Sequence, residues 1–130
     1  MYAEVHALFF MRMIKVLIVD DSAIIRKSFK ELMKDYEQID VIGECSDGNE
    51  VLDFLRSTKV DVILMDIKMK DMNGIEATKL VKEKYPMVKV IAFTMYDEEI
   101  FREKMIEAGA SAYLLKETEI DEIIDTIQSI

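Results

Sequence analysis

Five side chains in this sequence could do chemistry together: Asp20, Asp21, Asp66, Thr94 and Lys116. Each stands at, or just past, the end of a short apolar run. Three carboxylates gathered at one place repel, and two unit charges about 5 Å apart cost roughly 3 kcal/mol at an effective dielectric of 20. Either one proton stays bound or a cation enters. With only oxygen ligands and an open position, Mg²⁺ is the natural guest. A divalent ion beside Asp66 would also neutralise charge on an incoming phosphoryl group. The Lys116 ammonium could contact one phosphoryl oxygen, and the Thr94 hydroxyl could donate to another. Carboxylates act as nucleophiles that form acyl phosphates. The set therefore reads as an aspartyl-phosphate site that needs Mg²⁺, with Asp66 as acceptor.

The elements that must position these groups follow from the apolar pattern. Val62-Ile63-Leu64-Met65 is a β-branched-rich run suited to a strand covered on both faces, and it stops on Asp66. Ile14–Val19 reads the same way and stops on Asp20-Asp21, with Ser22 placed to cap the next helix. In that helix Ile25, Phe29, Leu32, Met33 and Tyr36 share one stripe. Residues 39–45 form a second strand. The turn Ser46-Asp47-Gly48-Asn49 leads into a short helix bearing Val51, Leu52, Phe54 and Leu55. After Asp66 and the turn pair Asn73-Gly74, a helix covers about 75–85 and stops before Pro86. Residues 88–93 form a strand ending on Thr94, and a helix follows over about 97–108, closed by Gly109 as a left-handed cap. Thr94 could also cap that helix. Ala112–Leu115 is a strand ending on Lys116. The last helix starts near Glu119 with Ile120, Ile123, Ile124, Ile127 and Ile130 on one stripe.

Strands alternating with helices make a doubly wound parallel α/β sheet, because parallel neighbours need crossover connections. Such sheets bind ligands outside the carboxyl ends of the strands. The five side chains, scattered in sequence, would converge there.

Composition narrows the class further. The 130 residues fit one domain, and 51% hydrophobic content argues against disorder. The net charge of −9, from 26 acids and 17 bases, argues against a nucleic-acid surface and favours cations or basic partner patches. No apolar run approaches the roughly 18 residues of a membrane span. One cysteine, Cys45, excludes an internal disulfide and fits a reducing cytoplasm; it reads as a small core residue. Residues 1–12 carry Glu4, lack a basic leader and do not resemble a secretory signal. They read as an N-terminal extension or loose arm ahead of a 13–130 domain; the alternative is a segment docked on an apolar patch. The only histidine, His6, lies there and receives no chemical role. Neither a P-loop nor a Rossmann glycine motif occurs among the four glycines, so a phosphoryl donor must come from another protein.

Four segments carry a resemblance: Val-Leu-Ile-Val-Asp-Asp-Ser (16–22), Leu-Met-Asp-Ile-Lys-Met (64–69) with Met72-Asn73-Gly74, Phe-Thr-Met (93–95), and Gly-Ala-Ser-Ala-Tyr-Leu-Leu-Lys (109–116). In this order and spacing the chain resembles a receiver domain of the bacterial two-component response regulators. The resemblance implies a flavodoxin-like fold of five strands in the order 2-1-3-4-5 with five helices. It implies that Asp66 accepts a phosphoryl group from a sensor histidine kinase or phosphotransfer protein. Asp21 and Asp66 would ligate Mg²⁺ directly, Asp20 largely through water, and the backbone carbonyl of Lys68 would be a further ligand. Lys116 and Thr94 would bind phosphoryl oxygens. Thr94 would move towards the phosphate and Tyr113 would swing inward behind it, remodelling the face of helix four, strand five and helix five. Homodimerisation on phosphorylation is one outcome the family allows.

The sequence departs from the family pattern in three places. Lys70 replaces a frequent proline, which implies a less rigid loop. Glu117 follows Lys116 where a proline with a cis bond is common; a cis bond before glutamate costs roughly 3 kcal/mol more than trans, so the isomer stays open. Met95 follows Thr94 where a small residue is common. The last two features, with Tyr96-Asp97-Glu98-Glu99, resemble receivers that precede a LuxR-type DNA-binding domain, and whether this one acts alone stays open. Two other readings compete. A haloacid-dehalogenase-like phosphatase would carry a second Asp where Lys68 stands. A phosphorylation-independent scaffold would not need the acids, Thr94 and Lys116.

Overall fold

The computed structural model describes residues 13–130. Five strands, β1 (Ile14–Val19), β2 (Ile39–Cys45), β3 (Val62–Met65), β4 (Lys89–Thr94) and β5 (Ala112–Leu115), form one sheet in the order β2-β1-β3-β4-β5. Every neighbouring pair is parallel. The five helices between and after them are α1 (Ala23–Met33), α2 (Gly48–Ser57), α3 (Gly74–Lys84), α4 (Glu99–Ala108) and α5 (Ile120–Ser129).

Alternation along the central strands fills two cores, one on each face. Leu17, Val19, Ile63, Met65, Val90 and Ala92 pack with Val51 and Leu55 of α2, Val81 of α3 and Met105 of α4. The intervening residues Val16, Ile18, Val62, Leu64, Ile91 and Phe93 pack with Phe29 and Met33 of α1 and with Ile123, Ile124 and Ile127 of α5. Phe29 meets Phe93 edge to face, with ring centres 4.7 Å apart. Because both faces are covered, the stretches Val16–Val19, Val62–Met65 and Val90–Phe93 of the central strands are continuously apolar.

Caps set where several helices begin. Ser22 Oγ accepts from the Ile25 N–H at 3.3 Å, and Asn73 Oδ1 from the Glu76 N–H at 2.9 Å. Gly109 closes α4 with φ of 113°, the left-handed conformation expected of it.

Several expectations need correction. Leu32 is 47% exposed rather than on the buried stripe, because the apolar face of α1 is spanned by Phe29 and Met33. Tyr36 lies past the end of α1, yet still packs on the core and donates its hydroxyl to Asp121 at 2.5 Å. Thr94 does not cap α4, which starts at Glu99 behind Glu98, five residues away. Helix α3 starts and ends one residue earlier than expected, at Gly74 and Lys84. No peptide bond among the described residues is cis, so Lys116–Glu117 is trans. Cys45 is buried as expected. Among the described residues, no helix is long and apolar enough to cross a membrane. The expectations for residues 1–12, His6 included, lie outside the described residues.

Candidate functional site

The sheet ladder runs one step past the strands, and that step assembles the site. The Asp66 N–H donates to the Val19 carbonyl at 2.9 Å, and the Asp20 N–H donates to Cys45 at 3.0 Å. The Lys116 N–H donates to the Thr94 carbonyl at 2.8 Å. Asp20, Asp66 and Lys116 thus emerge side by side at the carboxyl edge. One carboxylate oxygen from each of Asp20, Asp21 and Asp66 lies within 4.8 Å of the others.

The three acids differ in environment. Asp20 is 2% exposed and Asp66 6%, whereas Asp21 is exposed. Lys116 Nζ sits 2.5 Å from Asp20 Oδ2 and 3.2 Å from Asp66 Oδ2. Asp66 Oδ1 accepts from the Ile67 N–H at 2.8 Å, and Asp20 Oδ1 accepts from the Ser22 N–H at 2.9 Å. Asp20 Oδ2 is the exception: buried, it has the lysine as a charge neighbour but no partner in hydrogen-bonding geometry. Burial pushes the Asp66 carboxyl above the usual carboxylate range, and the Asp20 charge adds to the push; Lys116 opposes both. For Lys116, burial disfavours the ammonium, but the close contact with Asp20 and the charges of both aspartates outweigh it and raise its pKa.

A cleft of about 340 Å³ opens over this cluster, walled by Asp21, Ser22, Lys68, Met95 and Tyr96. The ligand atoms that the three acids offer are all oxygens, and they face a cleft that also holds the Asp21 carboxylate and Lys68. Such a donor set fits a hard divalent cation such as Mg²⁺.

Two expected site residues do not line the cleft. Thr94 is fully buried, with its hydroxyl accepting from the Tyr96 N–H at 3.3 Å. Tyr113 lies inward on the core, with its hydroxyl donating to the Tyr96 carbonyl at 2.5 Å and the Arg102 guanidinium 4.4 Å from its ring centre. Burial pushes the Tyr113 hydroxyl pKa up. The Tyr96 segment therefore links both residues to the rim. The Lys68 side chain holds its ammonium 4.3 Å from the Tyr96 ring centre and 5.3 Å from that of Phe101.

Sequence reasoning missed two supports. Arg26 of α1 donates to the Asp20 carbonyl at 2.5 Å and to Glu44 of β2 at 2.7 Å, fixing the end of β1. Asp47, read only as a turn residue, accepts bonds from the loop that follows Asp66. An acid ahead of Gly-Asn was a visible cap signal, but nothing local pointed to the loop.

Known proteins resemble this chain in sequence and in fold. The response regulator GacA of Pseudomonas syringae pv. syringae is 36% identical over 116 residues, which are 89% of this chain and 54% of that protein. The chain thus spans about half the length of the curated relatives it matches. The response regulator domain of Thermotoga maritima CheB superposes with a TM-score of 0.82 at 33% identity, covering 90% of this chain and 95% of that one. A LuxR-family two-component response regulator from Aurantimonas sp. SI85-9A1 superposes with a TM-score of 0.85 at 29% identity, covering 90% and 84%. The sequence profile of the response regulator receiver domain matches residues 16–128, and the chain belongs to that family.

Proposed function

We propose that residues 13–130 form a phospho-accepting switch, with residues 1–12 as an extension, and that Asp66 is the acceptor. The observation that carries this reading is the placement of Asp66 at the cleft floor, paired to Lys116 and flanked by Asp20 and Asp21. An Asp66 carboxylate oxygen attacks the phosphorus of a phosphohistidine on a partner kinase or phosphotransfer protein. The P–N bond breaks as the P–O bond forms, and its electron pair stays on the imidazole nitrogen. Asp21 and Asp66, with the Lys68 carbonyl, would hold Mg²⁺, and Asp20 would contribute largely through water. When bound, the ion would neutralise charge shared between the acid cluster and the phosphoryl oxygens.

Lys116 orients one phosphoryl oxygen and Thr94 receives another after leaving its bond to Tyr96. Releasing that bond disturbs the segment to which Tyr113 is tied, so the α4-β5-α5 face changes with it. The promotion of phosphoryl gain and loss belongs to the same cleft, which turns over no separate substrate. The setting is cytoplasmic, and homodimerisation or a DNA-binding region elsewhere in the protein would carry the output. A small phosphodonor with Mg²⁺ is expected to modify the wild type on one residue, detected by mass. Asp66→Asn is expected to remove the modification. Equal modification of the Asn variant, or none of the wild type, overturns the assignment, the latter in favour of a phosphorylation-independent scaffold.

A further inference from the structure

The turn entering α2 holds a carboxylate that the acceptor site does not use. Asp47 is only 8% exposed. Its Oδ1 accepts from the Asn49 N–H at 3.0 Å, which is an ordinary helix cap. The same oxygen accepts from the Met72 N–H at 3.1 Å, while Oδ2 accepts from the Asp71 N–H at 2.8 Å and from Met72 at 3.3 Å. Asp71 and Met72 belong to the loop between β3 and α3, 24 and 25 residues further along the chain. One bond returns, from the Gly48 N–H to the Met72 carbonyl at 3.2 Å. A Cβ on Gly48 would stand 2.8 Å from that carbonyl oxygen, so this approach needs glycine. The base of the loop is pinched as well, by the Gly74 N–H donating to Ile67 at 2.7 Å.

A cap requires one bond, and the rest go to the loop that carries Lys68. Burial works against charge on Asp47, yet the backbone N–H groups outweigh it and hold the carboxyl below the usual range. The ionised form, with both oxygens accepting, is the one that grips the loop. Lys70 stands in that loop where a proline would stiffen it.

We propose that Asp47 is a positioning residue for the phosphoryl site: it clamps the β3–α3 loop and so keeps the Lys68 backbone beside Asp20, Asp21 and Asp66. This rests on the reading of that cluster as a Mg²⁺ site. The clamp supplies from outside the loop the stiffness that its own sequence lacks.

Asp47→Ser separates the clamp from the cap. Serine retains an acceptor for the Asn49 N–H but is too short to hold Asp71 and Met72; Asp47→Ala loses both functions. Wild type and variants are titrated with MgCl₂ by calorimetry, and amide hydrogen exchange is followed at Asp71 and Met72 without metal. Asp47→Ser is expected to raise the Mg²⁺ Kd about ten-fold, as loss of a supporting contact does elsewhere, and to speed exchange at both amides. Its melting temperature is expected to fall less than that of Asp47→Ala. A Kd within about two-fold of wild type overturns the proposal and leaves Asp47 a cap. If Asp47→Ser does not fold, the same threshold applies to Asp47→Asn, which keeps the volume and one acceptor. A wild type that binds no Mg²⁺ overturns the metal-site reading itself, and the clamp's role with it.

Discussion

Replacing Lys116 with methionine removes a charge and keeps most of the stem, so it isolates what the ammonium does for two buried acids. The three side chains are 11%, 3% and 8% exposed for Lys116, Asp20 and Asp66, so solvent screens them little. At an effective dielectric of 20, the 3.2 Å contact to Asp66 is worth about 5 kcal/mol before desolvation. Two carboxylate oxygens within 4.8 Å of each other repel by at least about 3.5 kcal/mol on the same scale. Desolvating the ammonium cancels part of the attraction, and removing one partner of a buried pair costs about 3–5 kcal/mol overall. We expect the lower end, about 3 kcal/mol, because methionine preserves packing.

The pH dependence has a definite sign. A lysine with a raised pKa contributes its stability in full below the ordinary 10.5 and loses it only as pH climbs through the raised value. An aspartate with a raised pKa destabilises the fold above that value, and the penalty fades as pH falls towards 3.8. Without Lys116 the Asp66 carboxyl rises further. The deficit of Lys116→Met is therefore largest at neutral pH and shrinks on acidification. The chain has no tryptophan, so urea unfolding is followed by far-UV circular dichroism, in chelator, at about pH 7.5 and about pH 5. The expected loss corresponds to roughly 10–15 °C in Tm at the higher pH. Adding Asp66→Asn to the variant should restore more than half of it. A deficit below about 0.5 kcal/mol, or one indifferent to pH, refutes the electrostatic account.

Gly74→Ala should be among the most damaging single changes, because its Cβ would stand 1.9 Å from the Asp66 carbonyl oxygen, a backbone atom. A loss of about 3 kcal/mol or more is expected from the urea midpoint. Burial pushes the Cys45 thiol up to about 12, and the residue is 3% exposed. Iodoacetamide at about pH 8 should leave the folded protein unmodified and label it only as it unfolds.

The sheet and its edge were legible because strands covered on both faces must be apolar throughout. Val62–Met65 has no polar residue, so Asp66 marks the end of β3 without ambiguity. The same holds for Val19 before Asp20 and Leu115 before Lys116. Helix starts were less legible. Thr94 carries a capping side chain, yet Met95–Glu98 intervene before α4 begins at Glu99, and Glu98 makes no side-chain cap. Leu32 fits the stripe by spacing, but the buried face of α1 is carried by Phe29 and Met33 and leaves Leu32 at its edge. The supports of the site were not legible at all. Asp47 and the loop it grips are 24 residues apart, and the Lys68–Tyr96 contact joins loops of different strands. Such contacts depend on how the edge loops pack, which no local pattern encodes.

Register, more than any single residue, makes this site. Val19 pairs with Met65, so the next residues on both strands, Asp20 and Asp66, are neighbours by construction. Thr94 pairs with Leu115, which brings Lys116 to the same line from the far side of β4. A slip of one residue between β1 and β3 would turn Ile63 and Met65 from one core to the other and separate the two acids at once. Two acids sharing one lysine are still costly to bury together, so the register that the two cores enforce also holds a destabilising arrangement in place. The edge therefore draws on the cores to keep the Asp66 carboxylate desolvated beside its lysine, and the clamp at Asp47 has only the loop left to fix.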